Sequence, residues 1–142
     1  MVSNIIAWLY QSVLKPLLFQ FDAEEVHNRF VNIGAILGAT GVGRALTRAF
    51  FSYQHPMLRT TVAGMHFKNP VGLAAGFDKN ARLPDILPDV GFGFAEVGSI
   101  TGKPCAGNPR PRLWRIPTLQ SIQVYYGLVN DGADAISERL RN

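Results

Sequence analysis

Residues Asn69 to Asn80 read NPVGLAAGFDKN, an apolar run that ends directly in a lysine-containing segment. Val71 to Ala75 are small or branched apolar residues, which predicts a buried strand. Gly76 to Lys79 follow with no polar turn between them. Ligands of parallel α/β proteins bind where strands reach the carboxyl edge of the sheet. Two interpretations of Lys79 remain open at this point, a ligand-facing cation and a surface lysine after a core strand.

The segments around this strand alternate between strand and helix patterns. Residues 94–98 read as a second buried strand, and Ser99 at its end offers a hydroxyl group. Extended segments are predicted at 61–67, 113–116 and 120–124, and helices at 83–90 and 131–140. Strands that alternate with helices indicate a parallel α/β architecture.

The amino-terminal residues have a different sequence pattern, one typical of short amphipathic helices. Apolar side chains recur at helical spacing up to Pro16, which is expected to kink or end the first helix. Asp22 is predicted to cap a second helix reaching residue 37, and a third covers 44–53. These helices form either an ordinary packed subdomain or a membrane-surface patch with exposed aromatic residues among basic ones. We place the domain boundary after residue 58, giving a helical extension (1–58) and an α/β part (59–142).

Composition narrows the class of protein. The chain has 142 residues, of which 47% are hydrophobic and 17% charged, which is typical of a globular domain rather than a disordered one. Its net charge is +4, and no Asp or Glu occurs between Val26 and Phe77. The basic residues are spaced out, which favours a lipid surface or an ordinary solvated surface over a nucleic-acid partner. No membrane-spanning stretch, cleavable leader or metal-ligand cluster is predicted.

A planar cofactor that becomes anionic on reduction would suit the end of the first strand. Reduced flavin carries negative charge at one ring edge, which a fixed cation such as Lys79 would stabilise. Small residues before the lysine would let a flat ring lie against the backbone.

Four segments in order, NPVGLAAGFDKN, GFGFAEVGSIT, GNPRPRLWRIP and NDGADAISERL, resemble the class 2, quinone-linked dihydroorotate dehydrogenases. The segment FDAEEVH at Phe21 to His27 is similar to the helical extension of the same family. The resemblance covers nearly the whole chain. It implies a (β/α)8 barrel preceded by a small helical domain, with FMN at the top of the barrel, dihydroorotate as substrate and a quinone as electron acceptor. It also implies a peripheral position on the cytoplasmic face of a membrane, where the quinone enters between the amino-terminal helices.

Site residues are carried over from the resemblance by position. The expected FMN contacts are Ala75, Gly76, Phe77, Asp78, Lys79 and Ser99. The expected substrate contacts are Lys79, Val124, Tyr125, Tyr126, Gly127 and Leu128. The family usually has an asparagine where this chain has Val124, so a related flavin enzyme with a different substrate remains an alternative.

The resemblance places the catalytic base, a serine, beyond residue 142. We therefore expect the chain to be an amino-terminal fragment with only the first β/α units of the barrel, and to be inactive when isolated. Cys105 is read as structurally neutral. Arg110 and Arg112 are expected to be solvated loop arginines, with contact to substrate or flavin as the alternative. A second alternative is a non-catalytic membrane-surface binding protein derived from this family.

Overall fold

The computed structural model describes the backbone of residues 2–141 and the side chains of residues 5–141. The chain begins with three consecutive helical elements. These are α1 (Val2–Leu9), a π-helical turn (Tyr10–Leu14) and α2 (Lys15–Leu18). Its π turn is closed by a hydrogen bond from the Lys15 amide to the Tyr10 carbonyl. Pro16 therefore does not end the helix, because the wider turn before it accommodates the proline ring.

Two longer helices follow, α3 (Ala23–Gly38) and α4 (Gly41–Phe51). The predicted cap is confirmed, since the Asp22 carboxylate accepts a hydrogen bond of 2.9 Å from the Glu25 amide. Helix α4 begins three residues before the predicted start at residue 44, because the Thr40 hydroxyl caps it by accepting from the Gly43 amide at 3.1 Å.

Within residues 2–141, no single helix is long and apolar enough to cross a membrane. Helices α3 and α4 taken together have the length and apolar composition of a membrane span, but the chain bends by 114° between them.

The core lies where α3 packs against the segment that includes α5 (Leu87–Val90). Its buried apolar side chains are Val31, Leu83, Ile86 and Leu87. A Cβ on Gly34 would lie 2.7 Å from Cδ2 of Leu83, so a larger residue there would require the Leu83 side chain to shift. The predicted helix at 83–90 is shorter than expected, because residues 84–86 form turns before Leu87.

The strands form three two-stranded sheets. An antiparallel hairpin joins β1 (Thr60–Val62) and β2 (Met65–Phe67), so the extended run at 61–67 is interrupted by a tight turn. Strands β3 (Gly72–Leu73) and β4 (Phe94–Ala95) are parallel, with α5 between them in the chain. A second antiparallel hairpin joins β5 (Leu113–Ile116) and β6 (Ser121–Val124), and α6 (Ala133–Arg141) follows.

The two parallel strands are shorter and less buried than the sequence predicts. Ala74 and Ala75 are exposed, as are both residues of β4. The reason is that the chain beyond β3 lines one open cavity and β4 borders another, so no closed core covers either strand. The prediction of a parallel β-α-β arrangement is confirmed.

Candidate functional site

A largely apolar cavity of about 590 Å³ opens at the carboxyl ends of the parallel strands. One wall is the segment after β3, from Leu73 to Phe77, and a second is Gly98 and Ser99 after β4. The β5–β6 hairpin and the loop after it supply the third wall. The residues of that wall are Leu113, Ile122, Val124, Tyr126, Leu128 and Val129. Such a pocket, apolar with a few polar groups, is typical of a cofactor or ligand site.

Lys79 is the cation of this cavity. Its ammonium nitrogen lies 4.0 Å from the centre of the Tyr126 ring, within the range of a cation–π interaction. Burial lowers the pKa of Lys79 from its ordinary value, and repulsion by Arg112 acts in the same direction. The Glu24 and Asp78 carboxylates oppose that shift.

Arg112 is buried, so the expectation that it is a solvated loop arginine is wrong. It is 6% exposed, and its guanidinium donates three hydrogen bonds to the Glu24 carboxylate, at 2.7, 3.0 and 3.1 Å. The same guanidinium donates to the carbonyls of Ala106 and Asn108. Arg110 has a largely exposed side chain and makes a second ion pair with Glu24 at 3.0 Å. Hydrogen bonding to Arg112 lowers the pKa of Glu24.

His27, on α3, also lines the cavity that contains Lys79. Its ring meets that of Phe77 edge-on, with 4.8 Å between ring centres. Burial lowers the pKa of His27, and the Lys79 charge lowers it further. A smaller polar cavity of about 250 Å³ adjoins the first, and Glu24, His27 and Lys79 are among its lining residues.

Asp78 shapes the loop that carries Lys79. It is 1% exposed, and its two carboxylate oxygens accept from the Arg82 amide at 2.9 Å and the Leu83 amide at 2.8 Å. Both oxygens are therefore directed to the backbone that leads into the core.

The sequence profile described as dihydroorotate dehydrogenase matches residues 57–142. The chain is 46% identical over 132 residues to a dihydroorotate dehydrogenase (quinone) of Natronomonas pharaonis, which covers 93% of this chain and 37% of that protein. This chain belongs to the dihydroorotate dehydrogenase family.

Two further relatives agree with this membership. A dihydroorotate dehydrogenase (quinone) of Thermobifida fusca is 44% identical over 134 residues, covering 94% of this chain and 35% of that protein. A crystal structure of DHODH from Eimeria tenella in complex with ferulenol superimposes with a TM-score of 0.71 at 37% identity, over 84% of this chain and 29% of that chain. The chain thus spans 37% or less of the length of these relatives. The predicted fold class is confirmed as the amino-terminal portion of an α/β barrel enzyme with a helical region before it.

The structure brings most of the predicted site residues to one cavity. Those lining it are Ala75, Gly76, Phe77, Lys79, Ser99, Val124, Tyr126 and Leu128. Tyr125 does not line it, and its backbone amide donates to the Arg112 carbonyl. Gly127 also lies outside the lining and packs against Asn108. Asp78 borders only the smaller cavity.

Sequence reasoning missed three residues around Lys79, namely Glu24, His27 and Arg112. Glu24 and His27 lie two and five residues after Asp22, on the face of α3 that lines the smaller cavity. Glu24 lies in the first turn of a helix, where acidic residues are common, so its position alone does not mark it as a site residue. The signal that could have found it is the matching arginine pair in NPRPR, since a buried carboxylate needs such a partner.

Proposed function

We propose that this chain contributes the front part of an FMN-dependent enzyme that oxidises dihydroorotate to orotate in pyrimidine biosynthesis, with a quinone as acceptor. The observation that carries the proposal is the cavity at the ends of β3 and β4, where the apolar wall and Lys79 meet. Family membership supports the reaction, and the relatives named above are dihydroorotate dehydrogenases (quinone).

The first wall of the cavity fits a flat flavin ring. Gly76 has a φ of +101°, and a Cβ placed on it would meet no atom within 4 Å. With Ala74 and Ala75 before it, the chain offers bare backbone to a planar ligand. When bound, FMN supplies the two-electron oxidation chemistry of the reaction.

Lys79 would hold and orient charged groups in this site. Its ammonium group would stabilise negative charge on the reduced flavin and pair with the substrate carboxylate. The Ser99 hydroxyl would donate to the flavin from the second strand end. Phe77 and Leu128 would keep water from the reacting groups, because their side chains are apolar and face the cavity.

Val124 favours a second candidate for the substrate. It lines the cavity beside Ile122 and Leu128, so this wall offers an apolar surface. An uncharged or less polar dihydropyrimidine would leave fewer polar atoms unpaired there. Dihydroorotate remains the first candidate, because Lys79 matches its carboxylate.

The amino-terminal helices would serve the quinone and the membrane. Apolar side chains are exposed on α1 to α4, including Trp8 at 62%, Ile36 at 68% and Val42 at 73%. Exposed patches of this kind mark a membrane or partner surface. The enzyme would dock peripherally on the cytoplasmic face of the membrane, and the quinone would enter between these helices.

The test is a hybrid enzyme in which residues 1–142 replace the matching segment of the Natronomonas pharaonis relative. We expect the purified hybrid to contain FMN and to reduce a short-chain quinone when dihydroorotate is added. A folded, FMN-containing hybrid that does not respond to dihydroorotate would exclude that substrate and favour the second candidate.

The same experiment addresses a non-catalytic role. A membrane-surface protein of this family would bind vesicles of anionic lipid, but its hybrid would contain no flavin. The isolated chain is expected to show no dihydroorotate oxidation.

A further inference from the structure

Lys79 and Tyr126 are in direct contact although they belong to different parts of the chain. The Lys79 ammonium nitrogen lies 4.0 Å from the centre of the Tyr126 ring. Lys79 is on the loop after β3, whereas Tyr126 follows β6. A half-buried lysine has four flexible side-chain bonds, so a partner is needed to keep its charge at one place in a cavity.

The Tyr126 ring is itself in contact with a fixed arginine. The Arg112 guanidinium carbon lies 5.3 Å from the ring centre. Arg112 cannot easily move, because Glu24 and the carbonyls of Ala106 and Asn108 accept its hydrogen bonds. Glu24 is 4% exposed and lies in the first turn of α3. A continuous set of contacts thus runs from α3 to the ammonium group of Lys79.

We propose that Tyr126 positions the ammonium group of Lys79, and that the Glu24–Arg112 ion pair holds the tyrosine ring in place. The packing of α3 against the barrel segment, residues 59–142, then determines where the ammonium group of Lys79 lies. Tyr126 and Arg112 are positioning residues in this scheme, since they act through Lys79. The importance of Lys79 for flavin and substrate rests on the proposed function, whereas the positioning itself does not.

The charges that face Lys79 come from each element packed around it. Glu24 and His27 approach from α3, Asp78 from its own loop and Arg112 from the segment before β5. Burial and Arg112 lower the pKa of Lys79, and Glu24 is the stronger of the two carboxylates that oppose this shift, ahead of Asp78. Removal of the Glu24 charge therefore leaves Arg112 uncompensated and lowers the pKa of Lys79 further.

The inference is tested on the 142-residue chain without flavin, by NMR of lysine labelled with ¹³C at Cε. The chain has four lysines, and a Lys79→Arg variant assigns the resonance. Protons above an aromatic ring are displaced upfield, so the Lys79 Cε protons should resonate upfield of the others. Lys15 lies 5.5 Å from the Phe19 ring centre and should show a smaller displacement.

Two pairs of variants separate the parts of the proposal. Tyr126→Phe keeps the ring and should keep the upfield displacement, whereas Tyr126→Leu should abolish it. Glu24→Gln should reduce the displacement and lower the pKa of Lys79 in a pH titration. Glu25→Gln is the matched control, because the neighbouring Glu25 is exposed and pairs only with Arg29 among the ion pairs of the described chain. It should leave the Lys79 resonance unchanged.

Some outcomes would overturn the inference. If Tyr126→Leu keeps the displacement, Tyr126 does not position Lys79. If Glu24→Gln leaves both the upfield displacement and the pKa of Lys79 unchanged, α3 does not help to position Lys79. If Glu24→Gln unfolds the chain, the double variant Glu24→Gln/Arg112→Gln replaces it, because it removes both buried charges. This variant should also lose the upfield displacement of Lys79, and a retained displacement would show that the ion pair does not hold the Tyr126 ring. Flavin binding by the hybrid is measured separately, so failure of the proposed function would leave this result intact.

Discussion

Glu24 and Arg112 are 88 residues apart in the chain and form a buried ion pair joined by three hydrogen bonds. Glu24 belongs to the first turn of α3, and Arg112 precedes β5. The pair therefore joins the helical extension to the barrel segment beside Lys79. Breaking one partner of a buried pair leaves an unpaired charge, which is far more costly than losing a surface pair.

Glu24→Gln is expected to lower the free energy of unfolding by about 3–5 kcal/mol. The folded-state pKa of Glu24 lies below its ordinary value of 4.5. Its contribution is therefore fully present above pH 4.5 and is lost as the pH falls through the folded-state pKa. Urea unfolding of the chain at a series of pH values measures both effects. Glu25→Gln should change stability by less than about 0.5 kcal/mol, and an equal effect of the two variants would contradict the buried-pair assignment.

Lys79→Gln in the hybrid enzyme is expected to weaken FMN retention and substrate binding by about 10- to 100-fold, since a charged hydrogen bond contributes roughly 1.5–3 kcal/mol. Recovery of flavin fluorescence on dilution measures FMN release, and the Michaelis constant reports on substrate. Lys103→Gln is the control, because Lys103 is exposed and does not line the cavity. Equal FMN release from both variants would show that Lys79 does not contact the flavin.

Asp78→Ala is expected to destabilise the chain by roughly 1.5–3 kcal/mol, because the amides of Arg82 and Leu83 lose a charged acceptor. Thermal unfolding followed by circular dichroism measures the loss. Asp85→Ala is the matched control at an exposed position of the same segment. If Asp78→Ala weakens FMN binding in the hybrid but leaves stability unchanged, Asp78 is a direct cofactor contact, as the sequence predicts, and not a loop-shaping residue.

The sequence predicts the features of this chain that depend on neighbouring residues. Asp22 lies three residues before the amide that it caps, and Lys79 lies four residues after the end of a strand-like run, so both are visible in a short window. The shared cavity could also be anticipated, because the ends of parallel strands meet at one edge. These local signals, together with four ordered motifs, were enough to indicate the family.

The features that the sequence did not predict depend on distant parts of the chain. Loop arginines are usually solvated, and the arginine pair in NPRPR does not indicate which acid, here Glu24 at 88 residues' distance, will cover Arg112. The burial of the parallel strands was overestimated for a related reason. An apolar run looks the same whether it faces a core or lines an apolar cavity, and Ala74 and Ala75 line a cavity.

Val124→Asn in the hybrid enzyme is expected to raise the specificity constant for dihydroorotate roughly tenfold, because an amide supplies a hydrogen bond that valine cannot. Steady-state quinone reduction measures the change. Leu119→Asn is a control at an exposed position outside the cavity. A decrease with Val124→Asn would instead indicate that the apolar wall is matched to a less polar substrate.

The corner between α3 and α4 is expected to contact the membrane. Ile36 and Val42 are 68% and 73% exposed there, and the exposed Arg44 follows them. The double variant Ile36→Ser/Val42→Ser should weaken binding to vesicles containing anionic lipid by at least about tenfold, since a fully buried apolar side chain contributes roughly 1.5–3 kcal/mol. The matched control is Val62→Ser/Met65→Ser in the β1–β2 hairpin, where both side chains are also more than half exposed. Co-sedimentation with vesicles measures the affinity, and equal losses in the two double variants would mean that the α3–α4 corner is not the docking surface.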